Sequence, residues 1–280
     1  MGAEIFDHTI CELGEGPMWH PRRQEFLWFD ILGKTLRTRD TFWTFDEYVS
    51  AAGWIDDARI LMATQTGLDI FNLDTGARDR VTDLEADNPV TRSNDGRADP
   101  FGGFWIGTMG INLEAACGTI YRYYRGEVRA LFDKITVTNA ICFSPDGTTA
   151  YFSDTNTAQI MSVRLDPKDG WPEGDPVVAV DLTADMLRPD GCVVDAQGRL
   201  WNAQWGAGRV ACYEPNGTLV QTLAVGGPQS SCPAFGGAEL DDMIVTTAAT
   251  GLDPSEHPDS GKVFRVVPGV KGQAEHQVIL

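Results

Sequence analysis

The sequence predicts an all-β fold, a single six-bladed β-propeller domain over residues 1–280, on three observations. A hairpin of similar outline, a polar turn followed by an apolar or aromatic strand, recurs six times. The copies are spaced by about 45 residues, which is the range of propeller blades. Short alternating strands broken by Gly, Pro, Asn and Asp fill the intervals, and no stretch has a sustained helical period.

The six hairpins follow one another along the whole chain. They occupy residues 20–29, 55–63, 99–107, 144–153, 195–203 and 236–246. A further strand of the form small-polar-apolar-aromatic follows, most clearly at 118–121, 208–210 and 261–264. Radially arranged four-stranded sheets leave only short, protected strand edges, so a repeat of this kind predicts a closed ring. A short helix is expected only near Leu182 to Met186.

Large aromatic residues recur at corresponding strand positions. Trp28, Trp105, Tyr151 and Trp201 are interpreted as the core of the blades. Trp205 and the loop 111–116 are weaker candidates for the wall of a pocket.

The charge of the chain argues against several classes of partner. The net charge is −18, with 40 acidic and 22 basic residues and no run of Lys or Arg, so we expect no binding to nucleic acid. The first ten residues lack a basic segment followed by an apolar core, and no later segment approaches the roughly 20 apolar residues that span a bilayer. We therefore expect no membrane association and a cytoplasmic protein that is a monomer or a weak homo-oligomer.

Cysteine, histidine and the common catalytic motifs narrow the chemistry further. The six cysteines form no C-x-x-C pair and are interpreted as reduced. The four histidines lie far apart in or beside turns, where we expect them to be exposed, so a histidine zinc site or a Ser/His triad has little support. The chain has no G-x-S-x-G, P-loop, G-x-G-x-x-G or H-E-x-x-H motif.

Four oxygen-bearing side chains, Glu15, Asn94, Asn139 and Asp190, begin segments of similar outline. Because the first strand of every blade lines the central channel, equivalent strand starts converge on one ring. Two carboxylates and two amides suit a hard divalent cation, which predicts a metal site at the mouth of the channel.

Ordinary turn capping is the alternative for each of these residues, because Asn-Asp-Gly and Pro-Asp-Gly are common turn sequences. Taken singly, most of the four are better explained in that way. Asn139 is not, since neither Gly nor Pro follows it before the strand. The joint pattern favours the metal site.

Several motifs closely resemble those of the SMP-30/gluconolactonase family, which includes regucalcin. They are the segments 13–17, 92–96, 107–109, 138–139 with 143–147, 189–191 and 235–237, and they span nearly the whole chain in order.

The resemblance implies a six-bladed propeller that hydrolyses sugar lactones to aldonic acids with one divalent metal. By resemblance, Glu15, Asn139 and Asp190 would bind the metal, and Asp190 would also be the acid/base residue. Arg92 and Asn94 would contact the substrate. Several family members carry an acidic substrate contact three positions after the Thr-Met pair, where this chain has Asn112, so Asn112 is a candidate substrate contact of altered chemistry.

The chemistry is compatible with these residues, because a cation that polarises the lactone carbonyl removes the need for a covalent nucleophile. The oxygen donors fit Ca²⁺, Mg²⁺, Mn²⁺, Zn²⁺ or Fe²⁺, and the sugar is left open. Two other functions stay open. One is a metal-dependent esterase or organophosphatase on the same scaffold, and the other is a non-catalytic, calcium-binding regulatory propeller.

Overall fold

Six four-stranded antiparallel sheets make up the computed structural model, which describes residues 2–280. The predicted all-β, six-bladed propeller is confirmed. Apart from the N-terminal strand, each blade is a simple meander in which successive strands pair with their neighbours. The first strand of each blade is the innermost, and its residues are almost entirely buried.

The strands follow the order of the chain. The N-terminal strand is β1 (Glu4–Asp7). Blade 1 contains β2 (Gly14–His20), β3 (Glu25–Asp30), β4 (Thr35–Arg37) and β5 (Phe42–Thr44). Blade 2 contains β6 (Val49–Trp54), β7 (Arg59–Thr64), β8 (Gly67–Asn72) and β9 (Arg78–Asp83). Blade 3 contains β10 (Thr91–Ala98), β11 (Phe104–Gly110), β12 (Gly118–Tyr124) and β13 (Glu127–Ile135).

The second half of the ring repeats this plan. Blade 4 contains β14 (Thr138–Phe143), β15 (Thr149–Asp154), β16 (Gln159–Leu165) and β17 (Pro172–Asp181). Blade 5 contains β18 (Arg188–Val194), β19 (Leu200–Trp205), β20 (Arg209–Tyr213) and β21 (Leu219–Ala224). Blade 6 contains β22 (Ser230–Gly236), β23 (Asp242–Thr247) and β24 (Val263–Val266), with β1 as its fourth strand.

The ring is closed by the pairing of β1 with β24, in which Ile5 lies opposite Phe264. Strands from the two ends of the chain thus share one sheet, and the hydrogen bonds between β1 and β24 close the ring. Each of the six predicted hairpins joins the first strand of a blade to its second strand, as 20–29 joins β2 to β3.

The short helix expected near Leu182 to Met186 is wrong, because these residues form a turn. The amide of Leu187 donates to the carbonyl of Leu182, and Met186 has a left-handed φ of 52°. Since β18 begins at Arg188, too few residues are left for a helix. Within residues 2–280 the helical structure is a 3₁₀ turn at Thr155–Thr157.

The aromatic residues assigned to the blade core are buried there. Trp28, Trp105 and Trp201 are at most 1% exposed, and Tyr151 is 4% exposed. The six cysteines are all free thiols, five of them buried. The expectation that the histidines are exposed is wrong for His20, which ends β2 with no exposed surface beside Trp54.

The C-terminal segment 272–279 covers one end of the channel. Gln273 Nε2 donates to the carbonyl of Phe143 at 2.7 Å, and Glu275 forms a partly buried ion pair with Arg97 of β10. Only about 20 Å³ of cavity remains at this end. Because the inner strands reach this end at their C-termini, their N-terminal ends lie at the opposite end of the channel. Among residues 2–280, no helix has the length and hydropathy that crossing a membrane requires.

An ion pair between Arg122 and Asp99 lies inside blade 3 with no exposed surface on either side chain. Arg122 Nε donates to Asp99 Oδ2 at 2.6 Å, while Asp99 Oδ1 accepts from the amides of Phe101 and Gly103. The guanidinium also lies 4.5 Å from the centre of the Trp171 ring. The pair therefore fixes the β10–β11 turn to the sheet.

Replacing Arg122 with Met should lower the free energy of unfolding by about 3 kcal/mol or more, since it leaves the Asp99 carboxylate buried without its countercharge. Urea unfolding followed by fluorescence measures this change. Arg22→Met, which breaks the exposed pair of Arg22 with Asp57, is the control and should change stability by less than about 1 kcal/mol. Equal effects of the two substitutions would contradict the role given to the buried pair.

Candidate active site

Bulges near the N-terminal ends of the inner strands place the candidate residues. The strand register shifts between Glu15 and Met18 in β2, and between Asn139 and Cys142 in β14. Comparable shifts bracket Asn94 in β10 and Asp190 in β18. A bulge interrupts the ladder and redirects a side chain. The four repeated strand starts therefore use one local device to turn their polar side chains toward the channel.

The backbone after two of these residues is left-handed. Gly16 has a φ of 53°, and a Cβ built on it would lie 2.2 Å from the carbonyl oxygen of Ser50, so only glycine fits. Ala140 has a φ of 57°, which is a costly conformation for alanine. Gly191, after Asp190, allows close packing of β18 on β22, because a Cβ there would meet the Cys232 thiol at 2.3 Å.

An open cavity of about 320 Å³ lies at this end of the channel. Five of the six predicted site residues line it, namely Glu15, Arg92, Asn94, Asn139 and Asp190. The rest of the lining comes from Leu13, Leu32, Met109, Ile111, Leu113, Val137, Thr155, Asn156, Arg188, Trp205 and Thr250. The volume is within the range of small-molecule sites.

Hydrogen bonds connect blades 3 and 4 at the floor of the cavity. Asn94 Nδ2 donates to Asn139 Oδ1 at 3.1 Å and to the carbonyl of Thr138 at 2.8 Å. Arg92 Nη1 donates to Asn94 Oδ1 at 2.8 Å. Asn94 is thereby held between the guanidinium and the amide of Asn139.

Thr155 orients Asn139, and sequence reasoning missed it. Asn139 Nδ2 donates to Thr155 Oγ1 at 2.8 Å, and that hydroxyl donates to the carbonyl of Pro189 at 2.8 Å. The Asn139 oxygen is therefore turned away from Thr155, and blade 4 is linked to the residue before Asp190. No local sequence signal marks Thr155, because its role depends on a contact with the next blade.

Glu15 and Asp190 are two buried carboxyl groups that influence each other. Burial raises the pKa of Glu15 to about 8, with a further contribution from the nearby Asp95 carboxyl. Burial, and then the charge of Glu15, raises the pKa of Asp190 well above its usual range. Asp190 Oδ1 is buried without a hydrogen-bond partner. Two desolvated carboxylates with a spare oxygen are the donors that a divalent cation would neutralise, so these residues fit a metal ion.

The Asp95 carboxyl adds negative charge near Glu15 and Asp190, but one of its oxygens is occupied by a backbone hydrogen bond. Its Oδ2 accepts from the amide of Ile141 at 2.7 Å. Burial raises the pKa of Asp95 as well.

Arg92 is the buried cation of the site. Burial lowers the pKa of its guanidinium to about 10, so it stays charged at neutral pH, and the charges of Glu15 and Asp190 oppose this shift. Its Nε has no partner within the described residues. Arg92 therefore has a hydrogen-bond donor to spare beside the carboxyl pair.

The predicted metal site at the channel mouth stays a prediction. Within residues 2–280, no group of three or more His, Cys, Asp or Glu side chains is arranged to hold a metal ion. The predicted ligands Glu15, Asn139 and Asp190 differ from such a group because the third donor is the amide of Asn139.

Asn112 does not line the cavity. Its side chain donates to Glu114 Oε1 at 3.0 Å, and its amide donates to Glu114 Oε2 at 3.0 Å. Its neighbours Ile111 and Leu113 do line the cavity, as does Trp205. The role of Asn112 as a substrate contact stays a prediction.

The structure is thus that of a six-bladed propeller with acidic and amide groups lining a cavity at one mouth of its channel. Residues 13–249 match the family described as the SMP-30/gluconolactonase/LRE-like region. The chain belongs to this family, which confirms the resemblance drawn from its motifs.

Relatives match nearly end to end. L-arabinolactonase of Azospirillum brasilense is 35% identical over 94% of this chain and 90% of its own. The 6-deoxy-6-sulfogluconolactonase of Pseudomonas putida is 31% identical over 94% of each chain. The crystal structure of a calcium-binding protein, regucalcin, from Agrobacterium tumefaciens strain C58 is 39% identical with a TM-score of 0.96, covering 100% of this chain and 98% of its own.

The carboxyl pair should make the metal-free protein less stable as pH rises. The folded-state pKa of Glu15, about 8, exceeds its ordinary value of 4.5, so the folded state holds the extra proton within this interval. The free energy of unfolding in chelator should therefore fall between about pH 4.5 and pH 8. In Glu15→Gln the fall should be smaller, since one of the two groups no longer ionises.

Urea unfolding at a series of pH values measures this difference. The control is Glu256→Gln, which alters an exposed carboxyl and should give a curve parallel to that of the unmodified protein. A Glu15→Gln curve that is also parallel would contradict the electrostatic description of the site.

Proposed function

We propose that the protein hydrolyses a sugar lactone to the aldonic acid, with one divalent cation bound by Glu15, Asn139 and Asp190. The observation that carries this proposal is the pair of buried carboxyl groups, with an unpartnered Asp190 oxygen, on the floor of an open cavity beside a charged guanidinium.

The enzyme class agrees with the family. Relatives that match the chain end to end are named lactonases, and this protein is a hydrolase of the same kind, acting on a cyclic carboxylic ester. The two relatives are named for different sugars, so the family name does not fix the substrate. We expect the largely apolar wall of the cavity, rather than its polar floor, to select the sugar.

The cation would be held by oxygen donors alone. Ca²⁺, Mg²⁺, Mn²⁺, Zn²⁺ and Fe²⁺ all accept such donors, and the Agrobacterium relative is described as a calcium-binding protein. When bound, the cation supplies a Lewis acid that polarises the lactone carbonyl and stabilises the negative charge that develops on its oxygen. The hydrogen bond that Asn139 Nδ2 donates to Thr155 Oγ1 keeps the Asn139 oxygen turned toward this site.

Arg92 and Asn94 would orient the substrate. The free Nε of Arg92 can donate to a ring or hydroxyl oxygen of the sugar, and the bond between Arg92 and Asn94 holds both groups in place. Such positioning lowers the entropic cost of bringing the carbonyl to the attacking water.

Asp190 would move the proton. Its unpartnered oxygen accepts a proton from water as the water oxygen attacks the carbonyl carbon. The ring carbon–oxygen bond then breaks, and Asp190 returns the proton to the departing alkoxide. The product is the open-chain acid, which releases one proton to solvent.

Two alternative functions can be distinguished from lactone hydrolysis by experiment. A metal-dependent esterase or organophosphatase would use the same residues on another ester. The calcium-binding description of the Agrobacterium relative favours, as a second candidate, a regulatory propeller that binds calcium without turnover. A cytoplasmic location and a monomeric or weakly homo-oligomeric state stay predictions.

Acid release in a weakly buffered indicator assay should reveal lactone hydrolysis that depends on the cation. Chelator-stripped protein is supplied in turn with each of the five cations and a panel of aldono-1,4- and 1,5-lactones. We expect no turnover without metal and turnover with at least one cation. Hydrolysis of aryl esters or organophosphates alone would select the esterase. Cation binding without hydrolysis of any substrate would select the regulatory propeller.

Substitution of Asp190 with Asn should lower kcat by about 100-fold or more, since the amide cannot accept the proton. Metal content, measured by elemental analysis at saturating cation, shows whether the loss comes from chemistry or from binding. Asp185→Asn, an exposed change five residues earlier, is the control and should keep full activity. Full turnover by Asp190→Asn with metal bound would contradict the proton-transfer role.

A further inference from the structure

A second guanidinium, that of Arg188, lies in the wall of the cavity. Arg188 is the first residue of β18, two positions before Asp190, and it pairs across the sheet with Trp205. Both Arg188 and Trp205 line the cavity. Unlike the buried Arg92, Arg188 is exposed, so it lies nearer the solvent side of the site than the floor.

The guanidinium of Arg188 has no hydrogen-bond or ion-pair partner in the part of the chain that the structure describes. Other arginines of blade 5 do have one, because Arg199 forms an ion pair with Asp195 at 2.8 Å and Arg209 donates to Gln204 at 2.6 Å. Although Glu15 and Asp190 line the same cavity, neither carboxylate forms an ion pair with the Arg188 guanidinium. Its donors are free for a ligand.

The net charge of the groups that line the cavity, together with a bound divalent cation, is positive. The charged groups are the carboxylates of Glu15 and Asp190 and the guanidinium groups of Arg92 and Arg188. A divalent cation neutralises the two carboxylates, which leaves both guanidinium charges uncompensated. The remaining wall is largely apolar, formed by Leu13, Leu32, Met109, Ile111, Leu113, Val137 and Trp205. Walls of low dielectric strengthen the attraction of such a site for an anion.

We propose that Arg188 is a specificity-determining residue that binds an anionic group, a carboxylate or a phosphate, carried by the lactone away from its carbonyl. The planar guanidinium matches either anion with two parallel hydrogen bonds. The preferred substrate class is then an acidic sugar lactone rather than a neutral one. This proposal rests on the lactonase function, and its test separates the two.

Pairs of lactones that differ only in one charged group measure the effect of that group on hydrolysis. D-Glucono-1,4-lactone and D-glucaro-1,4-lactone differ only in a terminal hydroxymethyl group or carboxylate, and the galactose-derived pair repeats the comparison. We expect kcat/KM to favour the carboxylate member of at least one pair by about 10-fold or more. Arg188→Met should lower that ratio by about 10-fold, and Arg188→Lys should retain part of it.

Arg164→Met is the matched control, since Arg164 is also exposed and unpartnered within the described residues but lies on β16 outside the cavity. It should keep the ratio of the unmodified protein. No preference for the carboxylate members in the unmodified protein, or the same ratio in Arg188→Met, would overturn the proposal.

Binding of the reaction products decides the proposal even if no lactone is hydrolysed. Calorimetric titration of cation-loaded protein compares the aldarates D-glucarate and D-galactarate with D-gluconate and D-galactonate. At least one aldarate should bind more tightly than its aldonate, and Arg188→Met should weaken that aldarate by about 10-fold while moving the aldonate less. Equal weakening of both, or tighter binding of both aldonates, would overturn the anion subsite. Absence of turnover would count against the lactonase function alone.

Discussion

The main physical constraint on the site is that two desolvated carboxyl groups from different blades are held together at one mouth of the channel. Glu15 belongs to blade 1 and Asp190 to blade 5, and burial raises the pKa of both. Buried like charges disfavour the folded state, so the ring itself must hold them in place. The β1–β24 pairing closes the ring, and the C-terminal segment covers the far end of the channel.

The same region contains a strained backbone residue and an unpartnered donor. Asn139 is followed by a left-handed alanine, and Arg92 is buried with a free donor. Both features cost stability in the isolated protein. A cation could satisfy the unpartnered oxygen of Asp190, and a polar substrate could satisfy the free donor of Arg92. The residues proposed to act in catalysis are therefore among those that lower the stability of the fold. Burial of apolar surface in the aromatic cores of the blades offsets this cost.

Much of the fold was predictable, because hairpin turns and strand alternation are local signals. The ring of Glu15, Asn94, Asn139 and Asp190 was predictable because equivalent positions in a repeat converge on its axis. Thr155 and Arg188 were not, since their roles depend on contacts with another blade or with the cavity. His20 was expected at the surface, because nothing in the sequence places it beside Trp54. The turn at 182–186 has too few residues for the expected helix.

The central claim, that one cation is shared by residues of blades 1, 4 and 5, is tested most directly by a crystal structure of the protein soaked with Mn²⁺. An anomalous difference map locates the ion independently of activity. We predict one strong peak in contact with the carboxylates of Glu15 and Asp190 and the amide oxygen of Asn139. A peak at another place, or none at this site under saturating Mn²⁺, would contradict the account.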